Sequence, residues 1–133
     1  MPIELLMLAL SVALLFVLIV IQAVAGVQAQ GVDAMAGNRD NLGAPSVWQA
    51  RTKRCVDNHR EGITLFAPLV LIAAHLQISN ELTVWGAQLF FYSRVAHAVI
   101  YLAGWPKVRP LPWAVGIVGT LMVLAALFTS TPA

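Results

Sequence analysis

The chain has 133 residues, 59% of them hydrophobic and 11% charged, with a formal net charge of +2 and a mean hydropathy of +0.80. A soluble domain is about half apolar and about a quarter charged, so the composition excludes one and predicts an all-α integral membrane protein. A charge of +2 is too small to imply a nucleic-acid partner, and the single cysteine, Cys55, excludes an internal disulfide.

The first predicted element is a helix over residues 3–27, about 25 residues, which spans a bilayer with some tilt. Its apolar run passes through Ala23-Val24-Ala25, which looks like a signal-peptide cleavage site. Yet Met1-Pro2-Ile3-Glu4 offers no basic flank, and the run is too long for an h-region. A transmembrane helix is therefore expected. Glu4 in its first turn suits the helix dipole. Gln22, deep in the run, is expected to bond across to another helix or to lie at the interface.

Residues 28–47 read as a linker. Gly31, Gly37, Gly43 and Pro45, mixed with Asp33, Asn38, Asp40 and Asn41, break any regular period. Its length fits either a cap over a pocket or a loose connector.

The second helix is expected over 47–76, with Ser46 as N-cap and Gln49 at the capping-box position. Arg51, Lys53 and Arg54 belong at the headgroup level. Arg54, Asn58 and Glu61 fall at i, i+4 and i+7 and share one face, which Arg51 and Leu65 extend. His59 and Arg60 point off that stripe. Cys55, beside Arg54, is either a reactive thiolate or a packed helical side chain. Gly62 admits a close neighbour, and Pro68 should kink the helix.

A third helix is expected over 81–104. Arg94, His97 and Tyr101 again share one face. A basic turn with Lys107 and Arg109 leads to a fourth helix over 111–128, where Gly116 and Gly119 form a small-residue face for helix contact.

The whole chain thus reads as a single four-transmembrane-helix bundle with both termini on one side. The turns carrying Arg39, Arg51, Lys53 and Arg54, and Lys107 and Arg109, lie on the other side. The positive-inside rule makes those basic loops cytoplasmic, in a bacterial inner membrane or the endoplasmic reticulum. The topology brings Arg54, Asn58, Glu61, Arg94, His97 and Tyr101 to one level. Intramembrane polar groups are costly unless they face protein or a water-filled cavity. One reading is a pocket for a small zwitterion with more than one carboxylate. The other is a Glu61–Arg94 pair that only sets helix register. No metal site is expected, because His59 points off the stripe and His75 lies at the far end.

Arg54-x3-Asn58-x2-Glu61, followed by Arg94-Val95-Ala96-His97-x3-Tyr101 and a basic turn, resembles the MAPEG family, the membrane-associated proteins in eicosanoid and glutathione metabolism. The resemblance covers the whole chain. It implies a homotrimer of four-helix subunits in contact with membrane lipid. Glutathione, as co-substrate, would lie between subunits, and a lipophilic electrophile would reach it from the bilayer. By motif position, Arg54, Asn58, Glu61, Arg94, His97 and Tyr101 would bind glutathione. Tyr101 and Arg109 would be catalytic, Arg109 as the cation that stabilises the thiolate. Asp57 stands where a prostaglandin synthase of the family has an arginine, Gln28 and Gln30 where several members are basic, and Pro110 where a serine follows the arginine.

The function expected is a glutathione-dependent transferase or peroxidase for lipophilic electrophiles. A catalytically silent relative that binds a lipid, thiol or protein remains the alternative. A small multidrug exporter would place its membrane-embedded acid in the first helix, whereas here that acid is Glu61 in the second.

Overall fold

The structure, a computed structural model, describes residues 1–130. Among these residues it contains helices and no strand: α1 (Ile3–Gln30), α2 (Val32–Ala36), α3 (Val47–His75), α4 (Glu81–Ala103) and α5 (Pro110–Thr129). α3 and α4 pack on each other, and each also packs on α1 and on α5, while α1 and α5 do not meet. The two helices with the polar stripes are therefore the central pair. By length and composition alone, α1 and α5 qualify as membrane spans. Phe16, Val17, Val20 and Val24 of α1 are exposed, an apolar face suited to hydrocarbon.

Local chemistry sets the helix ends. α1 continues past the expected residue 27 to Gln30, and stops at Gly31, whose φ of 92° favours glycine. The expectation of a wholly irregular linker is corrected, because residues 32–36 form the short helix α2. Gln30 then gathers the rest of the loop. Its Nε2 donates to the Gly43 carbonyl at 3.2 Å and to Gln49 Oε1 at 3.2 Å, while its Oε1 accepts from Gly43 N at 3.1 Å.

Ser46 caps α3, its Oγ accepting from Gln49 N at 3.0 Å. Gln49's side chain is taken by Gln30, so only half of the expected capping box forms. A complete box starts α4 instead. Asn80 Oδ1 accepts from Thr83 N, and Thr83 Oγ1 accepts from Asn80 N. α3 runs unbroken through Pro68. Pro110 opens α5 at a position where its missing N–H costs nothing.

The interior is layered along the bundle. One apolar layer contains Met7, Leu8, Val70 and Val123 around Phe66 and Phe90, whose rings stack at 3.9 Å and 12°. A second contains Leu18, Cys55, Val56 and Ala98. Cys55 is buried there, which favours the packed reading of its side chain. Between the two layers lie the buried polar groups of Ser11, His59 and Arg94.

The small residues make the tightest contact. A Cβ on Gly119 would lie 2.5 Å from the Gly86 carbonyl oxygen and 2.9 Å from Phe90 N, so α4 and α5 touch backbone to backbone. Gly62 packs more loosely, its would-be Cβ 3.5 Å from the Phe90 ring.

At the far end, Glu4 does more than face a helix dipole. It is only 5% exposed, and its Oε1 accepts from Ser79 Oγ at 2.8 Å and Thr83 Oγ1 at 2.6 Å. It thereby ties the start of α1 to the start of α4. Glu4→Ala removes the charged acceptor that both hydroxyls share and is expected to cost about 1–3 kcal/mol. A lowered melting temperature in detergent checks this, with Glu81→Ala on the exposed face as the unchanged control.

Candidate functional site

α3 and α4 are consecutive and antiparallel, so the start of α3 and the end of α4 share one end of the bundle. Tyr101 is the meeting point there. Arg54 Nε donates to Tyr101 Oη at 2.9 Å. The Arg109 guanidinium lies 4.9 Å from the centre of the Tyr101 ring, over its face. The His97 ring is 5.5 Å from the Tyr101 ring, tilted by 44°. His97 itself is buried, and its Nδ1 has no hydrogen-bond partner among the described residues. Because Tyr101 Oη accepts from Arg54, its own proton is free to be donated elsewhere.

Further in, Arg94 is 3% exposed and donates from Nη2 to Asn58 Oδ1 at 2.8 Å. Its Nε donates to His59 Nδ1 at 3.2 Å. The Glu61–Arg94 pair considered from the sequence is not formed. Among the described residues the ion pairs all lie on two successive turns of α3, where Asp57 meets Lys53 at 2.7 Å and Arg60 at 3.7 Å. Asp57 is therefore neutralised by its own helix, away from Tyr101.

Glu61 is exposed and shares with Asn58, Arg94, Trp113 and Thr120 a cavity of about 130 Å³. That is below the about 300 Å³ at which pockets for small organic ligands begin. Arg54 is also exposed, and Leu65 is 52% exposed, so the α3 stripe opens sideways out of the bundle.

Two more cavities border this end. One, of about 390 Å³, lies under the α1–α3 loop and is lined by Gln22, Met35, Arg39, Gln49, Lys53 and Arg54. Gln22 makes no hydrogen bond to another described side chain; it faces this space. The other, of about 540 Å³, is an apolar groove between α4 and α5, lined by Tyr92, Ala96, Ile100, Leu111 and Val115 among others.

The structure thus gathers Arg54, Tyr101 and Arg109, sets His97 beside them, and joins Asn58 to Arg94. Glu61 forms no bond to either group. Sequence reasoning missed His59, which it placed off the stripe. One residue past Asn58 it is turned about 100° round the helix, and that direction leads to α1: His59 Nε2 lies 2.8 Å from the Ser11 carbonyl oxygen. No group of three or more metal-ligating side chains comes together among the described residues.

An all-helical bundle with two apolar helices long enough to cross a bilayer has the build of a helical membrane protein, here with a cationic, phenol-centred cluster at one end. The model of the MAPEG family matches residues 5–129, nearly the whole chain, and the chain belongs to that family. It is accordingly a membrane protein related to glutathione and eicosanoid metabolism. Comparison with curated proteins and with solved structures gives no match.

Proposed function

We propose that this chain is a glutathione-dependent membrane transferase or peroxidase acting on lipophilic electrophiles. It works as a homotrimer of single-domain, four-span subunits, with the basic loops in the cytoplasm. The observation that carries this reading is the convergence of Arg54 and Arg109 on Tyr101, one guanidinium at the hydroxyl and the other over the ring.

A free thiol has a pKa of about 8.5, and cationic neighbours lower it. A glutathione sulfur placed at Tyr101 would release its own proton to solvent water and accept the phenolic O–H in a hydrogen bond, while two guanidiniums favour its ionised form. The thiolate then attacks the electrophilic carbon, a C–S bond forms, and the displaced group leaves with the electron pair. The protein supplies proximity and electrostatic stabilisation, with no covalent enzyme intermediate. Arg94, Asn58, His97 and Glu61 bind the remainder of the peptide. Glu61 suits its ammonium, and Arg94 suits a carboxylate.

Two features support the assembly. The cavity at Glu61 is too small for a tripeptide within one chain, and the α3 stripe is exposed, so a neighbouring copy would close the site. The apolar groove between α4 and α5 provides a bilayer-side berth for the lipophilic substrate.

The test is thermal. A ligand that prefers the folded state raises its melting temperature, and at 100 times the dissociation constant the gain is about 2.7 kcal/mol. Millimolar glutathione is expected to raise the melting temperature of the purified protein, and Arg54→Ala and Glu61→Gln are each expected to shrink that rise. A wild type with neither a shift nor a lowered thiol pKa would falsify the enzyme reading and leave the silent binder.

A further inference from the structure

Among the buried groups, His59 has no place in the binding roles above, yet both of its ring nitrogens are engaged by other helices. It is 1% exposed and joins three helices: its own α3, α1 through the Ser11 carbonyl, and α4 through Arg94. The two contacts fix its chemistry. A carbonyl oxygen only accepts, so Nε2 carries the proton. In a neutral imidazole Nδ1 is then a bare acceptor, which is what the Arg94 Nε–H requires. A cationic ring would turn an N–H toward the guanidinium and break the bridge.

The order propagates. Two bonds fix the plane of the Arg94 guanidinium, its Nε donating to His59 Nδ1 and its Nη2 to Asn58 Oδ1. Two of its five N–H groups are used, and Arg94 also lines the cavity beside Glu61. Asn58 is oriented in turn. Its Oδ1 faces Arg94, so its amide N–H groups turn away from the guanidinium, and Asn58 also lines that cavity. Without His59, Nε of Arg94 would be a buried donor with no partner, and the guanidinium would be free to swing toward whatever acceptor it found.

We infer that His59 is a positioning residue: its Nε2–H tautomer, locked by the Ser11 carbonyl, holds the Arg94 guanidinium and through it the Asn58 amide in the orientation that receives glutathione. This rests on the glutathione reading of the site. His59 touches no ligand; it acts through Arg94.

Two variants and one spectrum test it. His59→Leu keeps the volume and removes both hydrogen bonds. His59→Gln offers one acceptor and one donor on a side chain of similar reach. His59→Leu is expected to weaken glutathione binding at least fivefold, read from the concentration dependence of the melting shift. His59→Gln is expected to recover at least half of that loss on a logarithmic scale. A smaller loss in His59→Leu, or no recovery in His59→Gln, overturns the inference while leaving a wild-type shift, and with it the site, intact. A wild type that shows no shift removes the site and the inference together. Should His59→Leu not fold, the wild-type ring decides. Its histidine ¹⁵N spectrum at pH 7, assigned by the resonance lost in His59→Gln, must show protonated Nε2 and bare Nδ1, and the Nδ1 resonance must move when glutathione is added. A protonated Nδ1, or one that glutathione leaves unmoved, overturns it.

Discussion

Arg109→Ala is expected to slow conjugation of a lipophilic electrophile by about 10²-fold, the scale seen when one preorganised charge-stabilising donor is removed from an active site. Binding of glutathione should weaken far less, because Arg109 lies over the Tyr101 ring and not in the Asn58–Arg94 group that would hold the peptide. The loss therefore falls on kcat and spares most of the affinity, the pattern of an interaction made mainly as charge develops. Thiolate absorbance against pH supplies the second reading. With one of the two guanidiniums gone, the apparent pKa of the bound thiol should rise toward its free value, so the variant's activity recovers in part at alkaline pH. Equal losses in rate and affinity, with an unmoved thiol pKa, would show that Arg109 does no more than hold ligand.

Gly119→Leu is expected to destabilise the protein more than any change on the outer face of α5. The new Cβ would lie 2.5 Å from one backbone atom and 2.9 Å from another, and neither can rotate away. The helices must separate, and overpacking of this kind costs about 3 kcal/mol at the upper end of its usual range. Separation would also shift Arg109, at the start of α5, relative to Tyr101 near the end of α4. The melting temperature in detergent should fall by several degrees, and the glutathione response should fall with it. Val118→Leu, on a residue 51% exposed, is the matched control and should change neither. Unchanged melting in Gly119→Leu would mean that the α4–α5 contact is not as close as described.

Much of this was legible in the residues because periodicity is a local property. Ser46 marked the start of α3, the spacing of Arg54, Asn58 and Glu61 named one face, and Gly119 named another. The partners across the bundle were not legible, for a common reason. Which neighbour a buried polar group finds depends on the rotation of each helix about its axis, and that is set by packing. Glu4 looked like a dipole complement, and found Ser79 and Thr83. Glu61 was, in one of two readings, the mate of Arg94, which bonds to Asn58 and His59 instead. Gln49 looked like half of a capping box, and was claimed by Gln30 from 19 residues away. The box at Asn80 and Thr83 was missed because the sequence reading sought a glutamate or glutamine at the reciprocal position, and threonine serves it with its hydroxyl.

The stacked rings of Phe66 and Phe90 bear on the bilayer as an electrical barrier. Together with Met7, Leu8, Val70 and Val123 they separate the Arg94 level from the Glu4 level, with each of the four long helices contributing about one turn. Both levels hold polar atoms, and a wire of waters between them would be a leak for protons or ions. The aromatic layer removes the oxygen and nitrogen atoms such a wire needs, and a bare charge driven into it meets a desolvation cost of many kcal/mol. On the proposed four-span reading, Arg94 and Glu61 could lie within the depth of the membrane while the ion gradients on its two sides stay apart.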